Sequence, residues 1–240
     1  MLLAYFAERK KPATLADVVE QFGWPRSSTF NILTTLVENG YLYEPRARGG
    51  FYPSPRWLQI AQQISEGEPL PDRLLQVMKL VAEATKETVW ISAASGLHAV
   101  FIDVMESQAS IRYTASPGNR VPIHATASGQ ALLCQLSDKD IGVILRKVSY
   151  TQYGGTSAPM SQQEVWDRIE AGRRQGWYQS AAAYSPDLGG VAVPIMDGTR
   201  AYAVTVAGPL FRVHDKIALH GQILHQAIAK VYGPTHSRDT

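Results

Sequence analysis

Residues 14–40 read TLADVVEQFGWPRSSTFNILTTLVENG, and this stretch decides the architecture of the N-terminal part of the chain. Thr14 offers a side-chain oxygen to start a helix, and Asp17 stands three residues on, close to a capping box. Leu15, Val18, Val19 and Phe22 recur at helical spacing and give one apolar face. Gly23 ends that helix, and Pro25 suits the opening of the next, where a missing N–H costs little. In this next helix Phe30, Leu33, Leu36 and Val37 are expected to face inward. Arg26, Ser27, Ser28, Asn31, Thr34 and Thr35 are then left outward, and Asn39-Gly40 is a stop signal.

Upstream, Leu2 to Glu8 reads as a short helix broken by Lys10-Lys11-Pro12. Downstream, Tyr41-Leu42-Tyr43 and Phe51-Tyr52 read as strands around a basic turn, Arg46-Ala47-Arg48-Gly49-Gly50. Helix, short turn, helix and basic hairpin is the order of a winged helix-turn-helix. Its outward side chains suit DNA: Ser and Thr bond phosphates, and Asn can pair with the N6/N7 edge of adenine. Arg46 and Arg48 at a hairpin tip can reach phosphates or a minor groove. Arg26, Ser27, Ser28, Asn31, Thr35, Arg46 and Arg48 are the candidate DNA contacts. The competing view is a helical domain with a merely solvated polar face, but Ser, Thr and Asn are poor choices for a helix surface.

Charge agrees in sign and is weak in size. Residues 1–60 carry seven Lys or Arg against five acids, and the other 180 carry 16 of each, so the whole net charge of +2 lies in the first quarter. The chain has 240 residues, 45% of them hydrophobic and 18% charged, which suits a globular protein of one or two domains. No apolar run approaches the roughly 18 residues needed to cross a bilayer. The basic residues near the N-terminus follow an apolar patch, the reverse of a signal peptide, so the cytoplasm is the expected address and no membrane partner is expected. The single cysteine, Cys134, excludes an intrachain disulfide and any multi-cysteine metal site.

Pro53-Ser54-Pro55 punctuates the chain. A helix from Arg56 to Ile64 follows, then a break at Gly67–Pro71 and another helix through Leu74, Leu75, Met78, Val81 and Ala82. Beyond Glu87 the pattern turns to strands: Val89 to Ala93 and Ala99 to Met105 as a hairpin about Ser95-Gly96, and a third at Ile111 to Ala115. Helices are expected near 127–136, 138–146 and 161–175, then strands at 190–196 and 201–207 about Asp197-Gly198, and a closing helix from Val213 to Tyr232. That order is α+β with a mostly antiparallel sheet and flanking helices, a layout that can leave a pocket on one sheet face. The expected domains are 1–53, a winged helix-turn-helix; 54–71, a helical linker; and 72–240, a sensor.

Three stretches resemble the IclR-type bacterial transcriptional regulators. The first comprises LADVV at 15–19, WPRSSTFNILTTL at 24–36 and GYL at 40–42; the second, and most specific, is GNRVPIHATASGQALL at 118–133; the third is VAVPI at 191–195 with TVAGP at 205–209. The resemblance spans nearly the whole chain. It implies a winged helix-turn-helix, a linker that pairs subunits, and a C-terminal GAF-like domain that binds a small metabolite. It also implies a homodimer or dimer of dimers on a pseudopalindromic double-stranded operator, controlling catabolic genes. The family often has Arg in the recognition helix where this chain has Asn31, and a Leu-Gly pair where Ser54-Pro55 stands.

The family's pocket maps onto Ala127 and Ser128, then onto Ser180 where an acid is usual, Gly190 where a Cys is frequent, and Thr205 and Ala207. Ala182 and Ala183 stand where an acidic pair is usual. Gly190 and Ala207 remove volume and polar groups, while Trp90, Tyr113, Trp177, Tyr178 and Tyr184 offer aromatic walls. The expected pocket is therefore roomier and less polar than one for a two- or three-carbon acid, and the expected effector is aromatic or similarly bulky. Trp90, Tyr113, Ala127, Ser128, Ser180, Gly190, Thr205 and Ala207 are the candidate effector contacts, with His124 and Arg112 as further orienting groups.

Two other readings compete: a small-molecule sensor that does not bind DNA, and a hydrolase using His124 and Ser128, four residues apart. The second lacks a Gly-x-Ser-x-Gly elbow and an acid to orient the histidine. With no phosphate loop, dinucleotide fingerprint or paired histidines, no catalytic residue, cofactor or metal is expected. His214, His220 and His225 are expected to be solvated or at an interface, and Cys134 to be a buried small hydrophobe.

Overall fold

Thr14 does cap a helix, and the cap is reciprocal: its Oγ1 accepts from Asp17 N at 3.2 Å, while Thr14 N donates to Asp17 Oδ2 at 2.8 Å. The structure is a computed structural model describing residues 1–45, 49–67, 70–151 and 153–233, without the side chains of 65 and 66. The chain divides into two units, Met1–Pro69 and Leu70–Thr240. The stretch expected as a linker is split between them.

The first unit contains α1 (Leu2–Arg9), α2 (Leu15–Phe22), α3 (Arg26–Glu38), β1 (Leu42–Tyr43), β2 (Tyr52–Pro53) and α4 (Arg56–Gly67). Strands β1 and β2 pair antiparallel, Leu42 with Pro53 and Tyr43 with Tyr52. Phe51 bridges back to Ala13 through two backbone bonds of 2.9 and 2.8 Å. Gly50 makes this approach possible: at φ +90°, a Cβ there would stand 2.7 Å from the Ala13 carbonyl oxygen. Phe6, Ala13, Val18, Leu33, Leu42 and Phe51 form the core.

One inward residue of α3 was misplaced. Phe30 is 51% exposed, and Thr29 takes the buried position. Thr29 with Leu33, and Phe30 with Leu33, both satisfy helical spacing, so periodicity cannot choose between them. Thr29 is small enough to bury because its hydroxyl donates to Pro25 O at 3.0 Å. Helix α4 is fastened at its start. Ser54 Oγ donates to Gly40 O, Arg56 donates to Asn39 O at 2.6 Å and Trp57 Nε1 donates to Tyr41 O at 2.8 Å. The Ser54-Pro55 departure from the family thus has a local role.

The second unit contains α5 (Asp72–Thr85), β3 (Thr88–Ser95), β4 (His98–Met105), β5 (Arg120–Pro122), α6 (Ala127–Leu133), α7 (Asp138–Leu145), α8 (Gln162–Gln175), β6 (Tyr178–Ala181), β7 (Leu188–Asp197), β8 (Arg200–Pro209), α9 (Leu210–Val213), a 3-10 turn (His214–Lys216) and α10 (Ile217–Tyr232). Six strands make one antiparallel sheet in the order β5-β4-β3-β8-β7-β6. Because side chains alternate along a strand, each strand supplies both faces. Val89, Ile91, Val191, Val193, Val204 and Val206 pack with Leu74, Val77, Met78 and Val81 of α5 and Leu224, Ala227 and Ile228 of α10. Trp90, Ala192, Ala203 and Ala207 pack on the other face with Ala127, Ala131 and Leu132 of α6. Helix α6 lies close against the Ile123 backbone, since a Cβ on Gly129 would come 2.0 Å from Ile123 O.

Several expectations are corrected. Residues 111–115 form no strand. Side chains hold this strap instead: Thr88 Oγ1 donates to Tyr113 O at 2.6 Å, Ala115 N donates to Glu106 at 3.3 Å, and Arg212 Nη2 donates to Ile111 O at 3.0 Å. The β7–β8 turn is Gly198-Thr199, one residue later than expected, because Asp197 and Arg200 still pair. His220 is buried rather than solvated, and His225 Nε2 lies 2.8 Å from Gly176 O. Glu87, also buried, is held by Arg212 through two guanidinium nitrogens, in space left by Gly208.

Candidate DNA-reading helix and ligand cavity

Helix α3 presents an open N-terminus. Its N-cap is Pro25, no side chain caps it, and no acid stands in the first turn. Free N–H groups and the positive end of the helix dipole favour phosphate there. Arg26, Ser27, Ser28, Asn31 and Thr35 are all exposed, so the structure brings five of the seven candidate DNA contacts to the accessible surface of one helix. Arg46 and Arg48 lie outside the described residues. Phe30 and Ile32, 51% and 42% exposed, add apolar surface that the sequence reading had placed inside or passed over. Such side chains can contact a thymine methyl in a major groove.

In the second unit all eight candidate effector contacts line one cavity. Trp90 enters from β3, Ala127 and Ser128 from α6, Ser180 from β6, Gly190 from β7, Thr205 and Ala207 from β8, and Tyr113 from the strap. Strand register explains the convergence: Trp90 pairs with Thr205 and Gly190 with Ala207 across neighbouring strands. Tyr184, expected as an aromatic wall, also lines it; Val121, Thr126, Leu188 and Phe101, the last stacked on Trp90 with ring centroids 4.6 Å apart, complete the lining and were missed. The period-2 spacing of Ala99 and Phe101 was the available signal.

Among the described residues, none that lines the cavity is charged. Its polar thread runs from Trp90 Nε1, which donates to Ser128 Oγ at 3.2 Å, to the Ser128 and Thr205 hydroxyls, 3.0 Å apart. Each hydroxyl has one proton and the indole fills one acceptor site, so one hydroxyl proton remains to offer a ligand. Burial pushes the Tyr113 hydroxyl above its ordinary pKa, with the neighbouring Tyr184 adding to it, so the aromatic wall stays neutral.

The expected roominess is corrected. The free space is about 30 Å³, enough for about two waters. Gly190 and Ala207 do not open a void because they pack on one another, a Cβ at 190 reaching the Ala207 Cβ at 3.0 Å. The rings of Trp90, Phe101 and Tyr113 fill what remains.

Three side chains expected nearby lie elsewhere. Trp177 packs against Gly221 beside α10, Tyr178 is buried against Gly172, and Arg112 lines a separate surface groove, 3.6 Å from Glu106. His124 is buried with neither ring nitrogen bonded, its ring against Tyr150 at 5.3 Å, and burial lowers its pKa. Ser128 bonds Trp90 and Thr205 instead, so the His124–Ser128 pair that a hydrolase needs is not formed. Cys134 is half-buried, and burial raises its thiol pKa. No metal-holding group of His, Cys, Asp and Glu occurs among the described residues, and no described helix is long and apolar enough to cross a membrane.

The bacterial transcriptional regulator IclR C-terminal family matches residues 66–231, and the IclR helix-turn-helix domain matches residues 1–46. The transcriptional repressor IclR of Escherichia coli K12 is 23% identical over 96% of this chain and 85% of its own. The acetate operon repressor of Salmonella typhimurium LT2 is 24% identical over 98% and 88%. Among solved structures, an IclR homologue from Microbacterium hydrocarbonoxydans complexed with 4-hydroxybenzoate superposes with TM-score 0.75 at 19% identity, covering 96% of this chain and 93% of that one. Thermotoga maritima IclR gives 0.71 at 20% identity and 94% coverage of each. With both of its parts matched, an open-ended reading helix in one unit and a sheet-lined cavity in the other, the chain belongs to the IclR family of DNA-binding bacterial transcriptional regulators.

Proposed function

We propose that the protein is an effector-responsive regulator of a catabolic operon, and that its effector is an aromatic or similarly bulky small molecule held in the sheet-lined cavity. The observation that carries this reading is the lining itself: Trp90, Phe101, Tyr113 and Tyr184 around the four hydroxyls of Thr126, Ser128, Ser180 and Thr205, with no charge among the described lining residues. A two- or three-carbon acid needs more donors than these. The 4-hydroxybenzoate complex of the Microbacterium homologue supports the same ligand class. Since the free space holds about two waters, the ligand enters by displacing lining rings.

DNA is read by Ser27, Ser28, Asn31 and Thr35 in the major groove, with Arg26, Arg46 and Arg48 on phosphates. The protein acts as a homodimer or dimer of dimers on a pseudopalindromic operator. Helix α4 supports a pairing role, for Leu58, Ala61 and Ile64 are exposed along it. The effector switches the regulator because it binds one arrangement of the paired subunits better than another.

A thermal-shift screen of the full chain against aromatic acids, their amides and small keto acids tests the ligand class. Aromatic hits are expected; stabilisation by keto acids alone overturns it. For DNA, Arg26→Ala is expected to weaken binding to every sequence and reduce the salt slope by about 1, whereas Asn31→Ala relaxes preference at one base pair per half-site. Retention on DNA that does not fall with salt favours the sensor without DNA binding.

A further inference from the structure

Neither DNA reading nor the cavity uses the groove between α8 and the edge strand β6. It is lined by Gln130, Ser157, Arg168, Gln175, Gln179 and Ser180, with about 280 Å³ of free space. Among the described residues, Arg168 is the only charged side chain in that lining. Its Nη2 donates to Ser157 O at 2.8 Å; among the described residues no carboxylate hydrogen-bonds the guanidinium, and Glu164 acts on it only through its charge. Glu164, one turn earlier, is committed to the start of α8, where its two oxygens accept from Met160 N at 3.0 Å and Ser161 Oγ at 3.3 Å. A partly buried guanidinium with spare donors in its rigid fork fits a carboxylate. Burial lowers the pKa of Arg168 and the charge of Glu164 offsets this only in part, so a further anion beside the guanidinium relieves an unfavourable charge.

Ser180 lines both this groove and the cavity, so one residue of β6 borders the two spaces. The cavity offers an aromatic body a place but its charge none; the groove offers a cation but no aromatic wall. We propose that the groove is the anionic half of the effector site. The effector is then bipartite: a ring against Trp90 and Phe101, and a carboxylate on a short arm that passes Ser180 to Arg168. This rests on the cavity reading above.

Calorimetric titration of the full chain with phenylacetate, 3-phenylpropionate and 4-phenylbutyrate, each beside its primary amide, tests the proposal. At the best arm length the acid is expected to bind about tenfold tighter than its amide, the size of one charge-assisted contact. Arg168→Gln should lose that preference while still binding the amide, and Arg168→Lys should keep part of it. Gln179→Glu, an exposed change on β6, places a competing carboxylate in the groove and should also lower acid affinity while sparing the amide. Equal binding of acid and amide by the unaltered protein, or a preference that survives in Arg168→Gln, overturns the bipartite site and leaves the cavity reading standing. Binding of none of the six probes overturns both.

Discussion

One face of the six-stranded sheet carries Val89, Ile91, Val191, Val193, Val204 and Val206 against two long helices; the other carries Gly190, Ala192, Ala203, Thr205 and Ala207 under the short α6. The same strands build both, one residue apart. Branched side chains fill space up to the helices and leave nothing for a ligand. Small ones leave a layer in which the rings of Trp90 and Tyr113 line the cavity. Alternation thus separates what holds the fold from what shapes the cavity.

The contrast breaks if large changes cost alike on both faces. Leu224→Ala, on α10 against the branched face, is expected to cost about 2–5 kcal/mol, lowering the melting temperature by about 5–15 °C. Ala192→Gly on the cavity face should cost about 1 kcal/mol, the price of backbone freedom in a strand. Equal shifts in a thermal melt defeat the division.

Acid is the next lever, because each side of the sheet has a buried histidine: His220 on α10 and His124 ahead of α6. Burial lowers both pKa values from the ordinary 6.5; at His220 the nearby Glu87 opposes this and Lys216 adds to it. The unfolded chain therefore binds protons first as pH falls below that value. Stability is full above it and declines through the folded values. Melting temperature should drop between about pH 7 and pH 5, and His124→Gln and His220→Gln should each flatten part of the drop. A profile without slope removes the prediction for both.

Smaller effects sharpen the cavity side. Ala207→Leu should cost about 1–3 kcal/mol by overpacking, while abolishing stabilisation by any ligand found. Ligand shifts that persist in this variant place the site elsewhere. Thr205→Val keeps the shape but ends the hydroxyl thread, costing about 1 kcal/mol and weakening ligands that accept a hydrogen bond.

The reading helix was legible because punctuation is local: Thr14, Gly23 and Pro25 act within a turn of where they stand. Both hairpins of the sheet were legible from alternation and glycine turns. Six of the eight cavity positions came from family resemblance and Trp90 and Tyr113 from the aromatic pattern, and the strand register accounts for the meeting of those on β3, β7 and β8. What escaped depends on contacts distant in sequence. The irregularity between Ile91 and Ser92, which pairs Ser92 with Phe101 rather than with Ile102, cannot be read from either strand alone. The strap at 111–115 has strand-like residues but bonds to Thr88, Glu106 and Arg212 in place of a ladder. Arg168 carries no local signal, because its neighbours on β6 are ten or more residues away in the chain.

Gly129 gives the thread an external adjustment. Its bare Cα lets α6 rest on the Ile123 backbone, and that contact sets the depth at which Ser128, one residue back, comes within 3.0 Å of Thr205. A methyl group at 129 would act as a shim, lifting the helix and parting the two hydroxyls without entering the cavity. The spacing of the two hydroxyls therefore hangs on one carbon atom placed outside the cavity.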